Sequence, residues 1–203
     1  AGWAGDVAVA SKSKANTYEA MRVLANSPKR DLSLERIGIF HLHLVTSKED
    51  FAARAGALEC LVDLREKGVI QAIGISTHAA EGVRAVVDCD EIDVVFPVVN
   101  KDGLGVVGGT LEDMLEAAKA AKARGKDLYA MKPLGGGHLI GEIPTAIAYV
   151  RELSLFDAIA VGMKTPDEVE MDVRIFEGRP VPKRLTDAVK SAPKRLIVYD
   201  RCE

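Results

Sequence analysis

The chain has few cysteines, no long apolar run and little net charge, and each of these absences excludes a class of protein. Of its 203 residues, 3 are cysteines, and their spacing shows no pairing pattern. A small, odd number of cysteines predicts a reducing cytoplasm rather than a disulfide framework. No run approaches the roughly 18 apolar residues of a membrane span. The opening residues lack the basic start and apolar core of a signal peptide.

The charges are nearly balanced, with 27 basic and 30 acidic residues and a net charge of −3. This balance argues against broad electrostatic binding to nucleic acid or to an anionic membrane. Near the end of the chain, the basic cluster Lys183–Arg201 is interrupted by acids, which predicts a solvated face rather than an anion site.

Six short apolar runs rich in Val and Ile recur along the chain, and segments with helical periodicity separate them. The runs are Val7–Ala10, Ile37–Leu42, Val69–Ile75, Ile92–Val99, Leu128–Met131 and Ala158–Val161. Continuous apolar runs predict strands that are buried on both faces, as in parallel sheets. The starts of the runs lie about 20 to 35 residues apart, which is the period of a β/α repeat. Right-handed crossovers then predict parallel strands with helices outside.

Two helical segments carry clear local signals. An apolar stripe that runs from Phe51 to Leu64 predicts a single helix. Thr110, followed three residues later by Asp113, predicts a capping box at the start of another helix.

Two architectures fit this alternation, a closed barrel and an open doubly wound sheet. The open fold usually carries a glycine-rich turn after its first strand, whereas Ser11–Lys14 contains no glycine. We therefore predict a (β/α)8 TIM barrel, present as about six units, the third to the eighth. The predicted partial barrel covers residues 1–180, and residues 181–203 form a C-terminal extension. Six strands that cannot close leave unpaired edges, so we expect a truncated or incompletely determined chain, completion by another element being the alternative.

Polar residues follow the predicted strands, at the rim where ligands bind in parallel β/α folds. Lys12 could lower the pKa of a neighbouring tyrosine or hold an anion, or it is a surface lysine. His43 could donate a hydrogen bond to a substrate carbonyl, or it is a satisfied core histidine. His41 and His43 share a face of their strand and could bind metal, although no further Cys/His set is placed to complete such a site.

Three further segments could bind parts of a dinucleotide, and each also has a structural interpretation. The hydroxyls of Ser76 and Thr77 suit a carboxamide, and equally a helix N-cap. The glycine run after Lys132 suits a pyrophosphate, and equally a flexible loop. The helix start near Thr165 suits an anion or a ribose, and equally an ordinary capped helix.

The order of these motifs resembles the aldo-keto reductase family. The stretches that carry the resemblance are Phe40–His43, Gly68–His78, Met131–Gly137 and Val161–Thr165. They look like a bacterial branch whose members often carry a C-terminal ferredoxin-like iron–sulfur extension. The resemblance covers nearly the whole chain, from the third barrel strand onward.

The resemblance implies a barrel that uses NADPH or NADH to reduce a small aldehyde or ketone. It implies that Lys12 and His43 are the active-site lysine and histidine. The cofactor-binding positions that it implies are Ser76, Thr77, Met131, Lys132, Leu134, Gly135, Gly136, Met163, Lys164, Thr165, Glu168 and Asp172. It implies no metal site.

On the nicotinamide side, three residues differ from the family pattern. Thr77 stands where asparagine is usual, and Phe96 where a carboxamide-binding glutamine is usual. Met131 replaces the tyrosine that stacks on the nicotinamide ring, against which a thioether can still pack.

The phosphate and adenine positions also differ. Lys132 replaces a phosphate-binding serine, and Asp172 an asparagine that contacts the adenine. Glu168 replaces an arginine that grips the 2′-phosphate, so it favours NADH, whereas Lys164 favours NADPH. The choice between the two cofactors stays open.

Two family features have no counterpart in this sequence. The family's tyrosine acid and its aspartate partner belong to the first two barrel units, and none of Tyr18, Tyr129, Tyr149 and Tyr199 matches that tyrosine. The stretch from Arg195 to Glu203 resembles the lead into a cysteine-rich domain, but it contains only Cys202. A four-iron cluster takes four ligands, so we expect a cluster only in a longer chain.

The first hypothesis is therefore a cytoplasmic NAD(P)H-dependent aldo-keto reductase. The alternative is a non-catalytic nucleotide-binding or interaction protein on the same scaffold. A weaker third is a metal-dependent lyase that uses His41 and His43. The sequence leaves the oligomeric state open.

Overall fold

A computed structural model gives the structure of the protein and describes residues 7–191, the side chain of Lys190 excepted. The stretch Arg195–Glu203, with Tyr199 and Cys202, lies outside the described residues.

Six strands alternate with helices. They are β1 (Ala10–Ser13), β2 (Ile37–His43), β3 (Ile70–Thr77), β4 (Val94–Pro97), β5 (Asp127–Met131) and β6 (Ala158–Ala160). Each predicted run contributes a strand, but β1 begins at Ala10, where its predicted run ends. Lys12 therefore lies inside the first strand rather than after it, and its Cα pairs in register with His41 of β2.

Eight α-helices are described: α1 (Tyr18–Asp31), α2 (Lys48–Ala52), α3 (Ala55–Glu66), α4 (Ala80–Arg84), α5 (Leu111–Ala123), α6 (Ile143–Glu152), α7 (Pro166–Phe176) and α8 (Lys183–Ser191). Two short 3₁₀ turns, Gly135–Gly137 and Ile140–Glu142, precede α6. The capping box predicted from Thr110 and Asp113 is confirmed at the start of α5.

The prediction of one helix from Phe51 to Leu64 is wrong, because the chain forms α2 and α3 with a break between them. The break falls at Arg54, whose φ of −104° and ψ of 16° are not helical. The Arg54 guanidinium bonds both to the Asp50 carboxylate and to backbone carbonyls at the end of β2. These tertiary contacts compete with the helical conformation that the apolar stripe favours.

The described residues form two compact units. The first comprises residues 7–97 and 106–129. Its strands are parallel and hydrogen-bonded in chain order from β1 to the start of β5. Its core includes the fully buried Phe40, Leu42, Ile73 and Ile75. This order places the ends of β2 and β3 side by side.

The second unit comprises residues 98–105 and 130–191. It holds the end of β5 and then β6, which follows β5 in the sheet order. Ile143 and Ile147 of α6, Met171 of α7, and Leu185 and Val189 of α8 form its apolar core. No helix among residues 7–191 combines the length and apolar character needed to cross a membrane.

Candidate active site

His43 and Ser76 meet at the ends of two neighbouring strands of the first unit. Their Cα atoms are register partners across β2 and β3. Nδ1 of the imidazole lies 2.7 Å from Oγ of Ser76, and both residues are buried. Burial lowers the pKa of His43 to about 4, and the nearby positive charges of Lys12, Lys14, His78 and Arg54 act in the same direction. The imidazole is therefore neutral at pH 7.

Arg54 holds the backbone on which His43 is placed. Its Nη1 donates to the His43 carbonyl at 2.8 Å, and its Nη2 donates to the Leu44 carbonyl at 3.4 Å. The Asp50 carboxylate accepts three further bonds, one from Nε and two from Nη2 of the same guanidinium. Leu44 has a φ of 61°, which is uncommon for a residue other than glycine. The sequence does not predict this role of Arg54, because a charged residue between two helical patterns carries no signal of a contact with a strand end.

The Thr77 hydroxyl is bonded within the turn after β3, and Lys12 lies at the surface of β1. The Thr77 hydroxyl donates to the Val45 carbonyl at 2.5 Å and accepts from the Ala79 amide at 2.9 Å. It therefore fixes the turn after β3. Lys12 is exposed on β1, and its charge lies close enough to lower the pKa of both His41 and His43.

A second cluster, formed by His41, Phe96 and Tyr129, also belongs to the first unit. Nε2 of His41 lies 2.6 Å from the Tyr129 hydroxyl, and the Tyr129 ring stacks on Phe96 with 3.8 Å between centroids. Burial lowers the pKa of His41 to about 3, so this imidazole is also neutral. The ring packs over Gly74, where an added Cβ would lie 2.3 Å from Nδ1.

His41 is thus a buried histidine whose Nε2 is bonded to the Tyr129 hydroxyl. Among residues 7–191, no group of three or more His, Cys, Asp or Glu side chains is placed to hold a metal ion. The sequence does not predict the contact between Tyr129 and His41, because 88 residues separate them and no local pattern connects them.

In the second unit, the glycine run forms a tight loop with unusual backbone angles. Gly135, Gly136 and Gly137 all have positive φ, and so has Lys132, at 57°. A Cβ on Gly135 would lie 2.8 Å from Cδ1 of Leu104. The amide of buried Asn100 supports the loop by donating to the Lys132 carbonyl at 3.3 Å. Leu134 packs against the apolar core of this unit, and Met131 is buried.

The start of α7 is a local capping arrangement. The Thr165 hydroxyl accepts from the Glu168 amide at 3.2 Å, and the Glu168 carboxylate accepts from the Lys164 amide. Glu168 therefore uses a carboxylate oxygen to cap the helix, where its charge also suits the helix dipole. Met163, just before this cap, is 40% exposed.

One turn further along α7, Asp172 is buried with an unsatisfied oxygen. The residue is 2% exposed, and Oδ1 has no hydrogen-bond partner among the described residues. Burial, and then the charge of Glu168, raise the pKa of Asp172 to about 6. Buried acceptors of this kind are uncommon and call for a donor.

The aldo/keto reductase family model matches residues 5–152 of the chain, which is more than half of its length. The chain belongs to the aldo-keto reductase family. No curated protein matches its sequence.

Solved structures of aldo-keto reductases share the fold at low sequence identity. The holo form of an aldo-keto reductase from Bacillus halodurans is 15% identical, with 93% of this chain and 73% of that chain covered and a TM-score of 0.71. A Pseudomonas aeruginosa protein described as an aldo-keto reductase is 19% identical, with 86% and 68% covered and a TM-score of 0.70. Aldose reductase from Giardia lamblia is 18% identical, with 91% and 71% covered and a TM-score of 0.63.

These matches confirm the predicted family and fold, an incomplete (β/α)8 barrel with six parallel strands. At these identities the structural matches establish the fold alone. The roles of the individual residues of this aldo-keto reductase family member therefore stay predictions.

Proposed function

We propose that the protein reduces a small aldehyde or ketone with NADPH or NADH. The observation that carries the proposal is the neutral, buried His43 at the end of β2, in a chain that belongs to the aldo-keto reductase family. A neutral imidazole whose Nδ1 is already bonded can present Nε2 to a carbonyl oxygen as a hydrogen-bond donor.

A bound nicotinamide cofactor supplies the hydride in this reaction. His43, through Nε2, orients the carbonyl and stabilises the negative charge that grows on its oxygen as the hydride adds to the carbon. With a pKa of about 4, His43 is an imidazole rather than an imidazolium acid near neutral pH. The proton that completes the alcohol therefore has to come from another donor.

Two features of the second unit support binding of a dinucleotide. Oδ1 of Asp172, which has no partner within the described part of the chain, can accept a hydrogen bond from the exocyclic amino group of an adenine. Lys132 can contribute a positive charge toward a phosphate, on a loop whose glycines admit close approach of a ligand to the backbone. We place the protein in the cytoplasm, in keeping with the free thiols of Cys60 and Cys89.

A second candidate is a non-catalytic nucleotide-binding or interaction protein on the same scaffold. Phe96 stacks on Tyr129 in place of a carboxamide-binding glutamine, and the Ser76 hydroxyl is bonded to His43. Both observations reduce the polar contacts offered to a carboxamide, which favours this candidate.

The test is a fluorescence titration of the purified protein with NADPH and with NADH, followed by cofactor oxidation assays with a panel of aldehydes and ketones. We expect saturable binding and carbonyl-dependent oxidation. His43→Gln should keep the binding and lower kcat about 100-fold, because it removes the donor to the developing oxyanion. His138→Gln, which changes an exposed histidine, is the matched control and should act like the wild type.

The other outcomes separate the two candidates. Cofactor binding without oxidation of the cofactor by any carbonyl compound supports the non-catalytic candidate. No binding of either cofactor rejects both candidates.

A further inference from the structure

The Ser76 hydroxyl is a buried group whose single hydrogen needs an acceptor. Ser76 is 1% exposed, so its hydroxyl lies out of reach of bulk water. A serine hydroxyl carries one donor hydrogen and two acceptor lone pairs. The direction of the bond between Ser76 and His43 therefore follows from a count of the groups around Oγ.

Two groups among the described residues contact this oxygen. The Leu44 amide donates to Oγ at 3.4 Å, and Nδ1 of His43 lies 2.7 Å away. An amide N–H can only donate, so Nδ1 is the one contact able to accept the hydroxyl hydrogen. If Nδ1 carried a hydrogen instead, the buried hydroxyl hydrogen would have no acceptor, which is an unfavourable state.

We propose that Ser76 is a positioning residue that donates its hydroxyl hydrogen to Nδ1 of His43 and so fixes the imidazole as the tautomer with its hydrogen on Nε2. The catalytic meaning of this role rests on the function proposed above. It assigns Ser76 a task beyond the contact with the carboxamide that the sequence predicts. Oγ keeps one lone pair with which it can still accept a hydrogen bond from a carboxamide.

The backbone of His43 is held independently of this hydrogen bond. Arg54 fixes the His43 carbonyl, and Asp50 fixes Arg54, so the ring's remaining freedom is rotation about its side-chain bonds. The contact with Ser76 removes that freedom and selects the tautomer in one interaction. Its loss should therefore disturb the imidazole while the strand end stays in place.

The tautomer can be measured directly by NMR on protein labelled with ¹⁵N in its histidine rings, without cofactor or substrate. The chain has four histidines, and the His43 signals are those that disappear in His43→Gln. At pH 7.5 we expect an unprotonated Nδ1 and a protonated Nε2 in the wild type. Ser76→Ala should shift both nitrogens toward averaged values, and Ser76→Thr, which keeps the hydroxyl, should restore the wild-type pattern.

Two further variants keep the result interpretable. Thr110→Ala removes a helix-capping hydroxyl that bonds to Asp113 and should leave the His43 signals unchanged. If Ser76→Ala does not fold, Ser76→Cys keeps a similar volume with a much weaker donor and should show the same averaging.

The proposal is overturned if wild-type His43 carries its hydrogen on Nδ1. It is also overturned if a Ser76 variant without the hydroxyl keeps the wild-type nitrogen shifts. The NMR result does not depend on turnover, so failure of the proposed function leaves it intact. Where turnover is observed, Ser76→Ala should lower kcat about tenfold, since an orienting hydrogen bond is lost. Ser76→Thr should recover most of that loss.

Discussion

Polar residues are held in different ways at two places in the molecule. One is the strand ends of the first unit, and the other is the start of α7 in the second unit. His43 is held by Ser76, 33 residues away, and Thr77 is held by Val45, 32 residues away. At α7 the bonds of Glu168 reach only three and four residues along the chain. The first arrangement therefore requires the folded sheet, whereas the second is a local property of the helix. Substitutions that disturb packing should affect the first much more than the second.

The largest expected effect comes from Gly82 of α4, which packs directly against the strand ends. A Cβ there would lie 2.1 Å from the Val45 carbonyl oxygen and 2.5 Å from Oγ1 of Thr77. Because the nearer obstacle is backbone, relief requires α4 to move away from Val45, in the segment that follows β2. We expect Gly82→Ala to lower the free energy of unfolding by about 3 kcal/mol or more, measured by urea denaturation.

Gly162→Ala, in the second unit, is the matched control. Nothing lies within 4 Å of a Cβ at that position, and its φ is not in the left-handed region. Its effect should stay within about 0.5 kcal/mol. Equal effects of the two substitutions would show that the strand ends are no more tightly packed than the loop before α7.

The same difference explains what the sequence could predict. Patterns confined to a few residues, such as the strand runs and the capping box of Thr110, lead to correct elements. The glycine run and the cap at Thr165 were likewise visible as local signals. The contacts of Arg54 with the end of β2, and of His41 with Tyr129, join side chains that only the fold brings together. No spacing in the sequence reports them, and Arg54 also breaks the helix that the apolar stripe predicts.

The first unit should also lose stability in mild acid, through two buried histidines together. Burial lowers the pKa of His43 to about 4 and that of His41 to about 3, from an ordinary value of 6.5. Between these values and 6.5 the unfolded chain binds protons that the native state does not. Stability is therefore full above pH 6.5 and falls as the pH drops toward 4. At pH 5 each histidine should lower the free energy of unfolding by about 2 kcal/mol.

Urea denaturation at pH 7.5 and pH 5 measures this loss in the wild type and in variants. The free energy of unfolding should differ less between pH 7.5 and pH 5 in His43→Gln than in the wild type. The reduction should be about 2 kcal/mol, which is the contribution of one histidine. Gly162→Ala, which changes no titratable group and meets nothing within 4 Å of the added Cβ, should leave the difference unchanged. A wild type that is equally stable at both pH values would mean that the two rings are protonated in the folded protein.

Asp172 of the second unit should respond to pH in the opposite direction, and its effect is the smallest of the three. Its pKa is raised from 3.8 to about 6, mainly because the residue is buried. Above pH 6 the native state holds an ionised carboxylate whose Oδ1 has no partner among residues 7–191, so its contribution to stability is lost as the pH rises through 6. Asp172→Asn removes the charge and should stabilise the protein at pH 8 by up to about 3 kcal/mol. The gain should shrink between pH 6 and 4, where the native carboxyl is already protonated.

Asp167→Asn is the control for this effect, because Asp167 lies on the same helix with its side chain 48% exposed and paired with Arg184. It should change stability by less than about 0.5 kcal/mol at either pH, as surface ion pairs contribute little. If Asp172→Asn destabilises the protein equally at pH 8 and pH 4, the carboxylate has a partner in the folded protein. We expect Asp172→Asn to stabilise the protein only at high pH, whereas the two histidines destabilise it only in acid. Together these results would show that burial of a titratable group lowers stability at high pH in the second unit and at low pH in the first.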